Sequence, residues 1–324
     1  MKLLQSGRYC EERNDVAYFN IQYLKRVEGC LKQHKIPSAK SEAEQLVRHF
    51  SGISRVDFFT GQKTISPRAR KSITAALKTR IKGKPLAYIL KEAEFFGLKF
   101  FVSSDTLCPR PETEILAEAA LKVMRSLDFP STGFARLGSL GTTAKQPRPR
   151  ALEILDIGTG CGCLAVGLTI QRSNGRMTAL DISSKALKIA RKNINFYRLG
   201  KKIRLVKSDL FGVFGNKKKA FWDVIVSNPP YVPEEDFGGL SKEVLSEPPV
   251  ALDGGPRGLS VLTRILDEAP YFMKKNGWLV MEIGDGQARP LQAKIAQDKI
   301  FYNSRLVQDL NGIDRVLMAQ KWIN

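Results

Sequence analysis

The sequence predicts an α/β protein: a doubly wound, largely parallel sheet preceded by a small all-helical domain. Three observations carry this. From residue 151 onward, short β-branched runs alternate with helical periodicity, the pattern of βαβ units. A glycine-rich turn, Gly158-Thr159-Gly160-Cys161-Gly162, joins the first of these runs to a helix. Further on, the buried-type run Asp223-Val224-Ile225-Val226-Ser227 ends at once in Asn228-Pro229-Pro230-Tyr231. That is a rigid polar-aromatic corner at a strand's carboxyl end, where open α/β sheets bind ligands.

Before that sheet, residues 1–85 read as helical. Val16, Phe19, Ile21 and Leu24 begin an apolar periodicity, Ser41-Glu42-Ala43-Glu44 resembles a helix start with acid in its first turn, and Ser66-Pro67 opens another helix with Ile73, Ala76 and Leu77 inward. No catalytic residue types recur here, so the expected role is to position a partner. Residues 86–125 form a connector: a hairpin across Phe95 to Val102, a stiff Pro109-Arg110-Pro111, and a helix opened by Glu112-Thr113-Glu114. That acidic turn can cap the helix or touch a cofactor. Residues 126–150, rich in Gly and Pro, read as a flexible surface loop whose basic end, Lys145, Arg148 and Arg150, could meet a polyanion.

The domain at 151–324 carries the chemistry. Its strand, glycine turn and helix bring backbone N–H groups toward a ligand at a helix amino end, though dinucleotide folds make the same move. Arg176 to Leu180 reads as the second strand and ends in Asp181, where an acid can accept both ribose hydroxyls. After the third strand, Ile203 to Val206, Asp209 can accept from an adenine amino group while Leu210 and Phe211 cover its ring; a structural cap is the alternative for Asp209. Gly277 to Ile283 gives a fifth strand, in which Glu282 faces the cleft or caps the strand end. Tyr302–Gln308 and Ile313–Ala319 give a final antiparallel pair around Asn311-Gly312. Gly254-Gly255 and Gly258 suggest a tight loop before a helix at Val261 to Ala269.

The Asn-Pro-Pro-Tyr corner suits a planar group bearing an NH2. Asn228 offers a side-chain carbonyl and Pro229 a backbone carbonyl, two acceptors for two hydrogens, with Pro230 stiffening the turn and Tyr231 available to pack flat on the group. A strand terminator with a capping Asn is the structural alternative. The glycine turn follows the first strand and this corner the fourth, which flank the switch point of a doubly wound sheet. That order fits a methyltransferase better than a dehydrogenase.

Composition sets the bounds. The chain's 324 residues suffice for two domains, and its 43% hydrophobic and 26% charged content is ordinary for a globular protein. No apolar run approaches the ~20 residues of a membrane helix, and Met1 to Cys10 lacks the apolar core of a signal peptide, so no membrane association and a cytoplasmic location are expected. The five cysteines have no paired spacing and stand apart from His34 and His49, so free thiols are expected and no metal site. The net charge is 52 − 32 = +20, and residues 55–99 hold eleven basic residues against three acidic ones. That stretch is either a solvated basic face or a surface for RNA or the ribosome.

The segments Gly83 to Ile89, Pro109 to Glu114, Asp156 to Gly162, Asp181-Ile182-Ser183, Ser208 to Phe211, Ser227 to Tyr231, Ala251 to Gly255, Glu282-Ile283-Gly284 and Asp309 to Val316 stand in the order of a known family. The chain resembles the HemK/PrmC-type release factor glutamine methyltransferases, which methylate the Gln side-chain amide in the Gly-Gly-Gln loop of class I peptide chain release factors. The resemblance implies a seven-stranded class I S-adenosylmethionine-dependent methyltransferase domain, and a release factor as protein partner of a monomeric enzyme. Carried over by position, Gly158, Thr159, Gly160, Cys161, Gly162 and Asp181 bind S-adenosylmethionine, Asp209 and Leu210 lie by its adenine, and Asn228, Pro229, Pro230 and Tyr231 hold the glutamine amide. Cys161 stands where Ser or Thr is common, and Pro256-Arg257 where acids are common. Rival readings are glutamine methylation of a ribosomal protein, amino methylation of adenine or guanine in nucleic acid, and a non-catalytic module that binds ribosomes or RNA.

Overall fold

The computed structural model describes residues 4–128, 150–172, 174–215 and 219–322, with backbone alone at 4–14 and 128. The loop expected at 126–150 lies almost wholly outside these residues, as do Lys145 and Arg148. The chain divides into two units, residues 1–91 with 241–246, and residues 92–240 with 247–324.

The first unit is helical: α1 (Leu4–Gln33), α2 (Ala39–Ser51), α3 (Arg55–Phe59), α4 (Pro67–Arg80) and α5 (Leu86–Leu90). Its helix starts follow capping chemistry. The Ser54 and Ser66 hydroxyls accept the Asp57 and Ala69 N–H groups, each at 3.1 Å, and Pro67 occupies a first-turn position that needs no N–H. Leu31, Leu46, Ile65 and Ile73 form the core with Leu90, against which Leu86 and Ile89 pack. Burial of α5 in that core extends the helical unit to Lys91, past the expected boundary at 85.

Glu42 also departs from expectation. It is no solvated first-turn acid but a buried carboxylate, held bidentately by buried Arg80 at 2.6 and 2.9 Å. Arg80 donates again to Glu243 at 2.9 Å, from the 241–246 segment of the same unit. One of the eleven basic residues of 55–99 is thus structural rather than part of a basic face.

The second unit opens with a hairpin, β1 (Glu92–Phe95) and β2 (Leu98–Phe101), and α6 (Pro111–Asp128). Glu114 in the first turn of α6 accepts the Phe96 N–H at 2.6 Å, so this acid fastens the hairpin turn. The main sheet comprises β3 (Glu153–Ile157), β4 (Arg176–Asp181), β5 (Ile203–Lys207), β6 (Trp222–Ser227), β7 (Met273–Glu282), β8 (Phe301–Gln308) and β9 (Asp314–Lys321), with α7 (Cys163–Gln171), α8 (Ser184–Phe196), α9 (Ser260–Phe272) and α10 (Ala288–Asp298) between them. Its order is β5-β4-β3-β6-β7-β9-β8, parallel except for β9, which runs antiparallel to β7 and β8.

Side-chain alternation divides the core into two layers. Ile154, Val224, Val226 and Val280 meet Leu116, Met124 and Val166 on one face. Leu155, Ile157, Ile225 and Leu279 meet Leu262 and Ile265 on the other. Both faces are covered, which is why these strands read as continuous apolar runs. At the amino end of β6, buried Asp223 accepts from Arg150, from Lys274 at 2.9 Å and from the Glu153 N–H at 2.9 Å. Arg150, a candidate polyanion contact in the sequence, is committed to this carboxylate.

Breaking a buried ion pair from one side strands the partner's charge. Glu42→Ala is therefore expected to destabilise the chain by about 3–5 kcal/mol in urea unfolding, an effect that a surface pair such as Glu28–Lys32 would not produce.

Candidate active site

Parallel pairing brings the two organising turns together. β3 and β6 are neighbours in a register that matches Ile157 with Ser227, so the next residues, Gly158 and Asn228, leave the sheet side by side. The strand order reverses between them, since β4 lies beyond β3 and β7 beyond β6. A cavity of about 360 Å³ opens at this end, lined by the glycine turn, the ends of β4 and β5, Asn228, Pro230 and part of the 105–109 segment.

Gly158, Gly160 and Gly162 have φ of +73°, +57° and +84°, values that side chains disfavour. They turn the chain from β3 into α7 and leave the helix amino end facing the cavity. A Cβ at Gly160 would enter open space, so this turn is a cradle rather than a packed contact. Asp181 locks the cradle, its two carboxylate oxygens accepting the Gly160 and Ser183 N–H groups at 2.8 Å each. Burial pushes its carboxyl up and those two N–H groups pull it back. Asp156 lies wholly buried beneath the turn and accepts the Thr159 hydroxyl at 2.6 Å, burial raising its carboxyl to about 7.

Thr159 and Cys161 also line the cavity, as do Asp209 and Leu210. The half-exposed Asp209 carboxylate is gripped by Arg264 at 3.2 and 3.3 Å, an α9 partner that sequence reading did not supply. Phe211 is not a ring cover: it is buried in the core, stacked on Phe272 at 4.9 Å with planes 4° apart.

At the corner, the Asn228 side-chain Nδ2 donates to Thr113 Oγ1 at 2.9 Å, which orients the amide and leaves Oδ1 to the cavity that Asn228 lines. Pro230 borders the cavity, whereas Pro229 is buried and Tyr231 turns toward β7. The Tyr231 hydroxyl donates to Glu282 Oε1 at 3.0 Å, and burial raises the phenol while raising the fully buried Glu282 carboxyl to about 7. Glu282 thus lies under the corner, which resolves the choice between cleft and cap.

The backbone of the corner is held as firmly as its side chains. Val232 and Gly254 exchange hydrogen bonds with the facing loop, Val232 N–H to Leu252 and Gly254 N–H to Val232, both at 2.9 Å. Gln287 Nε2 donates to the Tyr231 carbonyl at 2.8 Å. Gly258, at φ +66°, is required there because a Cβ would collide with that same carbonyl and with Gln287 Nε2. Thr113 was visible in sequence only as part of the Pro-Arg-Pro-Glu-Thr-Glu connector, and nothing in sequence marked Gln287.

Similarity to other proteins agrees with this architecture. Residues 22–90 match the PrmC N-terminal domain and residues 140–238 the methyltransferase small domain. Among solved structures, the hMettl16 catalytic domain in complex with MAT2A 3'UTR hairpin 6 shares the fold at TM-score 0.52 and 14% identity, covering 75% of this chain and 81% of that one. Proteins described as release factor glutamine methyltransferase are much closer in sequence. That of Chlorobaculum tepidum is 33% identical over 93% of this chain and 97% of its own length, and that of Geobacter sulfurreducens 33% identical over 89% and 92%. That of Koribacter versatilis is 34% identical over 88% and 92%. With a switch-point cavity between a glycine cradle and an Asn-Pro-Pro-Tyr corner, and with relatives this similar along nearly their whole length, the chain belongs to the release factor glutamine methyltransferase family.

Proposed function

We propose that this chain transfers a methyl group from S-adenosylmethionine to the side-chain amide nitrogen of the glutamine in the Gly-Gly-Gln motif of class I release factors, and that Asn228 holds that amide. The observation that carries the reading is the Asn228–Thr113 hydrogen bond, which points an amide oxygen into the cavity that the glycine cradle borders. The names of the relatives supply the substrate. The cavity residues fit the cofactor: an open cradle at Gly160, an acid at the end of β4, and the apolar Leu210 beside Asp209 at the end of β5. Gly158 to Gly162 and Asp181 would hold its amino acid and ribose parts, with Asp209 and Leu210 at the adenine.

When bound, S-adenosylmethionine supplies an electrophilic sulfonium methyl. The work of the chain is to present the other reactant. An amide nitrogen is a poor nucleophile because its lone pair is delocalised, so orientation must supply much of the acceleration, roughly 7–11 kcal/mol in well-held pairs. Asn228 Oδ1 and the Pro229 carbonyl accept the two amide hydrogens, direct the nitrogen at the methyl, and stabilise the positive charge that develops on it. As the N–C bond forms and the S–C bond breaks, sulfur keeps the electron pair. The nitrogen then gives up one proton, leaving a secondary amide, and no strong base is needed beforehand. Tyr231, drawn toward β7, stiffens the corner instead of lying flat on the amide.

Mass spectrometry of a purified class I release factor incubated with this protein and S-adenosylmethionine is expected to show one methyl, on the Gln of Gly-Gly-Gln. Asn228→Ala should lose that methyl, with turnover down about 10²-fold and calorimetric cofactor affinity little changed; an unmodified factor, or equal losses of turnover and affinity, would count against the assignment. Gly258→Ala, which displaces the Tyr231 carbonyl, is expected to lower kcat more than tenfold while the cofactor still binds.

A further inference from the structure

The reaction outlined above gives Glu282 no task, yet this carboxylate is wholly buried at the carboxyl end of β7, beneath the corner. Four groups on separate elements face it. The Tyr231 hydroxyl donates to Oε1 at 3.0 Å; the Thr113 hydroxyl approaches closely enough to favour the charged form, with no fully aligned donor at Oε2. Glu112 in α6 opposes the charge and Arg315 in β9 favours it. Arg315 is itself held by Asp309 at 3.0 Å. Arg110 acts on Tyr231 from the connector, its guanidinium paired with buried Glu247 at 2.9 Å.

We propose that Glu282, as its carboxylate, sets the direction of the hydrogen bonds running through Thr113 and so keeps the Asn228 carbonyl oxygen turned toward the amide substrate; the inference rests on Asn228 being the residue that holds the amide. The logic is a count of donors. An ionised carboxylate only accepts, so Tyr231 and Thr113 must both direct their protons at it. Thr113 has a single hydroxyl proton, and with that proton committed its oxygen can only accept from Asn228. Asn228 therefore shows Nδ2 to Thr113, as observed at 2.9 Å, and Oδ1 to the cavity.

A neutral Glu282 removes that constraint. A protonated carboxyl, or a Gln in its place, can donate to Thr113, whose proton is then free to turn to Asn228. Asn228 would next present Oδ1 to Thr113 and its NH2 to the cavity, where two donors would face the hydrogens of the substrate amide. Glu282 is thus a positioning residue acting through Thr113. Burial holds its carboxyl near 7, so the required charged form fills as pH rises through 7 and is lost as pH falls below it.

The test is kcat from about pH 5 to about pH 9 for the full chain with a purified class I release factor and S-adenosylmethionine. The wild type is expected to show an acidic limb near 7. Glu282→Gln, nearly isosteric, should lower kcat about 10²-fold, erase the limb and leave calorimetric cofactor affinity unchanged. Thr113→Val should behave alike, Thr113→Ser should restore turnover, and Tyr231→Phe, lacking one donor to the carboxylate, should move the limb to higher pH. Wild-type kcat and an unchanged limb in Glu282→Gln, or Thr113→Ser as impaired as Thr113→Val, would overturn the inference. Asn228→Ala separates the two readings: its full activity would overturn the amide-holding role and this inference with it, whereas an inactive Asn228→Ala beside an active Glu282→Gln would overturn this inference alone.

Discussion

The parallel pairing of β3 with β6 is the constraint on which the rest of the site depends. Ile157 lies opposite Ser227, so two turns of unrelated chemistry leave the sheet at adjacent points. One is a glycine cradle with three positive-φ residues, the other a proline-stiffened corner. Their closeness costs no special contact; it follows from strand order and register. A slip of one residue would flip the alternation that buries Ile154 on one face and Leu155 on the other, so the two-layer core and the site geometry are set by the same choice.

Around that junction the chain commits buried acids with unusual care for so basic a protein. Asp223 ties the amino end of β6, Asp181 locks the cradle, Asp156 sits beneath it, and Glu282 lies under the corner. Each carboxylate takes donors from elements distant in sequence. Burial alone would favour the neutral acids, as it does at Asp156 and Glu282, and the hydroxyl and N–H donors work against it. Such groups fasten turns that carry little apolar surface of their own.

Most strands were legible because a sheet covered on both faces writes itself as β-branched runs, and the turns because glycine and proline punctuate them. Helix starts at Ser54 and Ser66 follow the same local chemistry. The exceptions are instructive. Glu42 looks like a first-turn acid until Arg80, 38 residues on, claims it. Arg150 looks free until Asp223 takes it, and Phe211 looks like a ring cover until Phe272 stacks on it.

From residue types and spacing alone came the two units in outline, the doubly wound order, the glycine cradle, Asp181 and the Asn-Pro-Pro-Tyr corner, because each is written in neighbouring residues whose backbone preferences are local. Tertiary structure alone decided which way Asn228 turns, what Tyr231 and Glu282 touch, and why Gly258 has no Cβ. Those depend on pairings across 115, 51 and about 27 residues of chain. The orientation of a planar amide is settled by donors and acceptors that only folding brings within 3 Å.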